Sequence, residues 1–272
     1  MKSRIGIDAS RVAAQEKTGT ETYSYHLITN LEKIDRDNKY VLYFQKIPEN
    51  IQITSSNFST RLIKSPRLWT QVGLSYECFV NPPDLLFIPA HTMPLVRRPG
   101  LKTVVTIHDL GAEYLKEYHQ FPQSLYLNFT TEYCARNATH LIAVSKSTKA
   151  DLVKRLKVDP KKISVVYEGV DQNFFYHREQ SEIENVEKKY GISDPYILFV
   201  GTIQPRKNLV RLIEAFAKVN SELKNSIPLI LVGKPGWLHQ EIYAAPKKFG
   251  VEDKVKFLNY VPIEDLPALY SG

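Results

Sequence analysis

The chain has 272 residues, 43% hydrophobic and 24% charged, enough for one large or two ordinary α/β domains, and no apolar run reaches the roughly 18–20 residues of a membrane span. Cys78 and Cys134 match no disulfide framework or metal site, and MKSRIGIDAS has no secretory apolar stretch, so a reducing, cytoplasmic setting is expected. A net charge of +7 favours anionic partners, from nucleotides to lipid headgroups, while the missing zinc-knuckle, helix-turn-helix and aromatic RNA-binding signatures leave nucleic acid off the list of expected ones.

Lys2–Ala9 is expected as a short strand. It leads through a polar loop containing Thr18-Gly19-Thr20 into a helix with Tyr23, Leu27, Ile28, Leu31 and Ile34 on one stripe. Gly19, near that helix start, is either a plain turn or a point where a ligand approaches the backbone. Tyr40–Phe44 and Thr60–Ile63 read as strands, and Pro66–Val80 as a helix that buries Leu68, Val72, Tyr76 and Phe79. Asp84–Ile88 is a buried strand ending at Pro89-Ala90-His91. Leu101–Ile107 is another, running directly into His108-Asp109. Ligands of open parallel sheets sit at the carboxyl ends of strands, so this pair has two readings. In one, the histidine ends a strand and the aspartate begins a turn; in the other, the two side chains bond ligand hydroxyls or phosphate. Tyr114, Tyr118 and His119 follow in a loop suited either to packing or to a pocket wall.

Gln123–Ala138 is expected as a helix with Leu127, Thr131, Cys134 and Ala135 inward, and His140–Val144 as a strand. Ser145 ends that strand, as a helix N-cap or a ligand contact, before the helix Lys146–Leu156. Ile163–Tyr167 completes about seven strands alternating with helices, the pattern of a doubly wound parallel sheet. A polar segment then runs to Tyr190, suited to a linker and an exposed helix. Tyr196–Val200 is a continuous apolar run, read as a strand buried on both faces. Gly201 ends it, Pro205 marks a tight loop, and Leu209, Leu212, Ile213, Phe216 and Ala217 recur at helical spacing. Arg206 and Lys207 fall where this helix begins, a place that disfavours cations by roughly a few tenths of a kcal/mol each. Either they form a solvated basic helix start, or a phosphate joins them, held by backbone donors, a guanidinium and an ammonium. Strand Ile227–Val232, the turn Gly233-Lys234-Pro235-Gly236, a helix near His239–Phe249, strand Lys254–Leu258 and the segment Leu266–Tyr270 complete the chain.

GTIQPRKN (Gly201–Asn208), following an apolar strand, resembles the donor-diphosphate loop of the retaining, nucleotide-sugar-dependent glycosyltransferases of family 4. SVVYEGVD (Ser164–Asp171) is similar to that family's domain-junction signature, and VSKSTKADL (Val144–Leu152) to the last Rossmann unit of its first domain. The resemblance covers the whole chain and implies an α/β GT-B fold, with two Rossmann-like, doubly wound parallel-sheet domains. Residues 1–172 would be the acceptor-side domain and 173–272 the nucleotide-sugar domain, the latter incomplete. It further implies transfer of a hexose from a nucleotide diphosphate sugar to an acceptor hydroxyl with retention, without cofactor or metal. Arg206, Lys207, Gly201 and Thr202 would bind the donor diphosphate, with Gly19 contributing from the first domain. His108 would bond the sugar or phosphate, Asp109 would orient the acceptor, and Ser145 would lie on the acceptor side. The turn at Gly233, with Lys234, would border the nucleotide. Many members have Gly-Arg where this chain has Gly201-Thr202, and Arg206 would supply the displaced charge.

IGIDAS and the form GTIQPRKN look most like the mannosyltransferase-like members that build surface polysaccharide. That suggests GDP-mannose as donor, a glycan or lipid-linked acceptor, and peripheral contact with the cytosolic face of an anionic membrane. The family's paired glutamates, eight positions apart, and its closing C-terminal helix are not in the sequence, so the chain is expected to be a truncated fragment, inactive alone. Two alternatives accompany this reading: a non-catalytic nucleotide-sugar-binding half of a split protein, and a GT-B nucleotide-sugar epimerase.

Overall fold

A computed structural model describes residues 2–13, 19–48, 51–65, 68–110, 123–193, 195–222 and 227–272, with backbone alone for 123–127. Tyr114, Tyr118 and His119 of the expected pocket wall, and the side chain of Leu127, lie outside the described residues. The chain divides into two units, Met1–Glu168 and Gly169–Gly272.

In the first unit strands and helices alternate: β1 (Arg4–Asp8), α1 (Gly19–Ile34), β2 (Lys39–Phe44), β3 (Phe58–Leu62), α2 (Ser75–Val80), β4 (Leu85–Ile88), β5 (Lys102–Ile107), α3 (Gln123–Asn137), β6 (His140–Ala143), α4 (Lys146–Leu156) and β7 (Ile163–Val165). The seven strands form one parallel sheet in the order β3-β2-β1-β4-β5-β6-β7. Successive side chains of a strand point to opposite faces, and both faces are covered here. On β4, Leu86 and Ile88 join Tyr43, Val105, Ile107, Cys134 and Leu152 in one buried cluster, while Phe87 joins Ile7, Ile28, Leu42 and Phe44 in another. Gly6 sits in β1, an interior strand, where a Cβ would lie 2.6 Å from the Tyr43 ring, so β1 admits the fully buried tyrosine only because residue 6 has no side chain. Burial pushes the thiols of Cys78 and Cys134 up to about 12, which leaves both inert at neutral pH.

The segment before β4 departs from the expected helix. A π-turn over Thr70–Leu74 precedes α2, with the Leu74 N–H donating to the Trp69 carbonyl at 2.9 Å, five residues back. The extra residue in that turn shifts the phase of the stripe. Leu68, Val72, Tyr76 and Phe79, expected inside, are 65%, 55%, 69% and 51% exposed. Trp69, Leu74, Ser75, Glu77 and Cys78 are buried instead. Gly73 faces inward too: a Cβ there would meet the Ile63 side chain at 2.8 Å. Two smaller shifts are of the same kind, since Ile34 of α1 points to solvent and Thr130 rather than Thr131 is the buried threonine of α3.

The second unit runs α5 (Gln180–Tyr190), β8 (Ile197–Val200), α6 (Leu209–Glu222), β9 (Leu229–Val232), α7 (Gln240–Lys248), β10 (Val255–Asn259) and α8 (Leu266–Ser271). Its parallel sheet has the order β10-β9-β8. Leu229 and Leu231 of the central strand pack with Leu209, Ile213 and Phe216 of α6 on one face, as the helical spacing predicts. Ile230 and Val232 pack with Leu269 and Val186 on the other. Among the described residues β8 pairs with β9 alone, at the edge of the sheet. Phe199 packs on one face and Leu198 and Val200 on the other, but all three are only partly buried and Ile197 is 41% exposed, less than the full burial its apolar run suggests.

Candidate functional site

Parallel strands end on one edge of a sheet, so the residues that follow β1, β4 and β5 gather there although they are far apart in the chain. Asp8, at the end of β1, accepts hydrogen bonds from the Ser10 N–H at 3.0 Å and the Ser10 hydroxyl at 2.6 Å. Burial raises its carboxyl above the ordinary aspartate value, with the Ser10 bonds and Arg11 pulling the other way. Arg11 pairs with Glu21 of α1 at 3.1 Å. Beyond β4, burial lowers the proton affinity of His91, with Arg11 and His108 acting in the same direction and Asp109 against it.

His108, directly after β5, is bonded through both ring nitrogens. Nδ1 lies 3.0 Å from Oε1 of Glu168 and Nε2 lies 2.9 Å from the carbonyl oxygen of Pro89. Tyr23 of α1 meets the ring edge-on at 4.8 Å between centroids, and the Tyr23 hydroxyl lies 3.3 Å from the Thr106 hydroxyl. The Thr148 hydroxyl donates to the main-chain carbonyl of His108 at 3.2 Å. Asp109 is exposed next to it. Ser145 is the N-cap of α4, its hydroxyl accepting from the Thr148 N–H at 3.0 Å. Gly19 opens α1 and is exposed, with nothing within 4 Å of a Cβ position. In the first unit the structure thus brings His108 and Asp109 together with His91, Tyr23 and Glu168. Glu168 lay inside the junction stretch, but nothing in its sequence neighbourhood marked a partner sixty residues away.

In the second unit the loops after β8 and β9 are clasped through their main chains. Gly201 donates to Val232 at 2.8 Å, Ile203 to Lys234 at 2.9 Å, and Gly236 back to Ile203 at 2.8 Å. Gly233 has φ +148°, and a Cβ there would lie 1.9 Å from the Gly201 carbonyl oxygen, so only glycine permits the clasp. Ile203 is fully buried beneath it. Arg206 and Lys207 lie in a 3-10 turn, Pro205–Lys207, closed by Asn208 at φ 56°, rather than in the first turn of α6 itself. Both are exposed, and the Lys207 Cε atom lies 3.9 Å from the Cβ position of Gly201. Lys234 instead rests its ammonium 4.7 Å over the Tyr260 ring. A fixed loop, exposed cations and the N–H groups at the start of a 14-residue helix together make a place where an anion is stabilised. Among the described residues no group of three or more His, Cys, Asp or Glu could hold a metal ion, and no helix is long and apolar enough to cross a membrane.

Residues 18–174 match Glycosyltransferase Family 4, and residues 182–272 match Glycosyl transferases group 1. O-antigen chain mannosyltransferase B of Escherichia coli is 27% identical over 172 residues, covering 63% of this chain and 45% of its own length. O-antigen chain mannosyltransferase RfbU of Salmonella typhimurium (strain LT2) is 26% identical over 268 residues, covering 93% of this chain and 69% of its own. The chain therefore spans 45% to 69% of the length of these two relatives. The structure of Anabaena HepE in complex with UDP-glucose aligns over 98% of this chain and 70% of its own, with a TM-score of 0.67 at 17% identity, a likeness of fold. With the first match spanning more than half of its residues and both parallel sheets of the Rossmann-like GT-B kind, the chain belongs to Glycosyltransferase Family 4.

Proposed function

We propose that the protein carrying this chain moves a hexose, mannose in the first instance, from a nucleotide diphosphate sugar to an acceptor hydroxyl with retention. The observation that carries the reading is the loop Gly201–Lys207, pinned by its main chain and presenting two cations to solvent ahead of α6. As the bond from the sugar to the diphosphate breaks, negative charge develops on the leaving oxygen. Cations and N–H groups already in place stabilise that charge without reorganising. Lys207 and Arg206 take this role, Gly201 and Thr202 line the same phosphate, and Gly19 adds backbone at the start of α1. No metal takes part in this reading. His108 bonds the sugar or its phosphate, Asp109 orients the acceptor, and Ser145 lies on the acceptor side with its hydroxyl engaged in capping α4. The names of the mannosyltransferase relatives support mannose and a glycan acceptor, and the UDP-glucose complex of the structural neighbour makes UDP-glucose the second donor to try.

The test is binding and turnover with GDP-mannose and UDP-glucose, with the sugar product identified. Lys207→Ala is expected to weaken donor binding about 10- to 100-fold, the loss of one charge-assisted bond. An unchanged affinity would remove the loop from the donor site, and an epimerised sugar nucleotide formed without acceptor would replace transfer by epimerisation.

Work at the cytosolic face of an anionic membrane belongs to the same reading. Its support is the exposed stripe Val72, Tyr76, Phe79 and Val80, followed in sequence by exposed Leu95 and Val96. Gln71 ties the two segments, donating to the Met93 carbonyl at 3.2 Å and accepting from the Leu95 N–H at 2.9 Å. Between residues 61 and 102 the basic residues are Arg61, Lys64, Arg67, Arg97, Arg98 and Lys102, against only Glu77 and Asp84, and Glu77 is buried opposite Arg61. Exposed apolar side chains in a stretch with an excess of basic residues suit an anionic lipid surface.

A further inference from the structure

A histidine ring has two nitrogens, and each bonds an acceptor only by donating its own proton. In His108 both face acceptors, Glu168 on one side and the Pro89 carbonyl on the other, so the ring as it stands has no N–H left for a ligand. Any substrate oxygen that bonds this ring must take the place of one partner. The two partners differ in how readily they leave. Pro89 is buried and its carbonyl belongs to the main chain directly after β4, which pairs with β5 up to Ile88. The Glu168 side chain is 50% exposed, on a stretch that is exposed from Val166 to Asn173, whereas the His108 side chain is only 16% exposed. The ring itself is held, by Tyr23 against its edge and by Thr148 on its main-chain carbonyl.

We infer that Glu168 is a placeholder on His108: its carboxylate occupies the position that an oxygen of the sugar nucleotide takes, and ligand binding displaces it. This inference rests on the proposed role of His108 as a sugar- or phosphate-bonding residue. It assigns Glu168 a gating part in that site, because every ligand that uses His108 must first break the pair. A half-exposed side-chain pair of this kind is a weak lock. Double-mutant measurements of such pairs put its removal at a factor of about 1.4 to 5 in affinity. The displaced residue is also the last of the first unit, with Gly169 beginning the second, so the stretch released on binding is the one that leads from one unit into the other.

The experiment is proton–nitrogen NMR of the His108 ring in the whole chain, titrated with GDP-mannose and with UDP-glucose, in the wild type and in Glu168→Ala. The free wild type is expected to show an Nδ1–H signal bonded to Glu168, lost or moved in Glu168→Ala. Saturating sugar nucleotide should move the Nδ1–H signal in the wild type, and Glu168→Ala should bind the same compound about 1.4- to 5-fold more tightly. An Nδ1–H signal identical in wild type and Glu168→Ala overturns the proposal, because the pair is then absent. A signal unmoved by either compound overturns it as well. Weaker binding or a lower kcat in Glu168→Ala would make Glu168 a positioning residue instead. The backbone signals of Gly201 and Lys207, read in the same titration, judge the donor-site reading separately: if they respond while the His108 ring does not, the placeholder fails and the donor loop stands.

Discussion

Gly233 is held at φ +148° with the Gly201 carbonyl oxygen 1.9 Å from where a methyl would sit. Alanine there must push the two loops apart and break the bonds of Ile203 to Lys234 and of Gly236 to Ile203. Gly233→Ala is therefore expected to cost about 2–4 kcal/mol of the second unit's stability, as a strained φ and lost buried bonds do together. Urea unfolding followed by Trp237 fluorescence measures it, and donor binding should fall in the same variant. His91 gives a pH-dependent counterpart in the first unit. Its folded proton affinity lies below the ordinary 6.5 because burial, Arg11 and His108 all disfavour the charged ring. A depressed value means that the stability is present above 6.5 and is lost as pH falls through that value towards the folded one. The wild type should thus lose stability of its first unit between about pH 7 and pH 5, and His91→Gln should lose less over the same interval. Trp69 fluorescence in a Trp237→Phe background reads that unit alone, and parallel pH profiles would remove His91 as the cause.

The stretch from Trp69 to Val80 shows how one hydrogen-bonding choice turns a whole element. With a regular 3.6-residue period, Leu68, Val72, Tyr76 and Phe79 form the natural buried stripe. The π-turn inserts one residue, Gly73 and Leu74 meet the sheet, and the stripe faces solvent. If that face meets an anionic bilayer, Val72→Asp with Phe79→Asp should reduce binding to phosphatidylglycerol-containing vesicles by at least tenfold, because two buried apolar contacts of roughly 1.5–3 kcal/mol each are lost. Flotation with and without phosphatidylglycerol decides it. Binding that ignores lipid charge, or survives both substitutions, would leave the stripe for another partner. The 3-10 turn before α6 is a comparable local choice. Asn208 in the left-handed region ends that turn and lets the helix begin at Leu209, so the cations stand ahead of the helix rather than on it.

Across the whole molecule, the buried clusters of Met1–Glu168 and those of Gly169–Gly272 are built from different residues, each around its own parallel sheet. Separate cores favour separate transitions. Trp69 and Trp237 lie in different units, so urea curves read from each in single-tryptophan variants are expected not to coincide; superimposable curves would show one cooperative body. Much of this architecture is legible in the residues alone. Apolar runs of strand length alternating with helical spacing announce the parallel sheets, and Gly201–Asn208 after such a run carries the family likeness, because backbone preference and amphipathic period are short-range properties. The tertiary structure alone decided three things. It set the buried face of α2, since a π-turn leaves no mark in a periodic pattern. It set the glycine clasp between the loops after β8 and β9, since the clashing atoms belong to residues 32 positions apart. It also set the partners of His108, because only a parallel sheet delivers the ends of distant strands to one edge, where Glu168 and Pro89 reach the same ring.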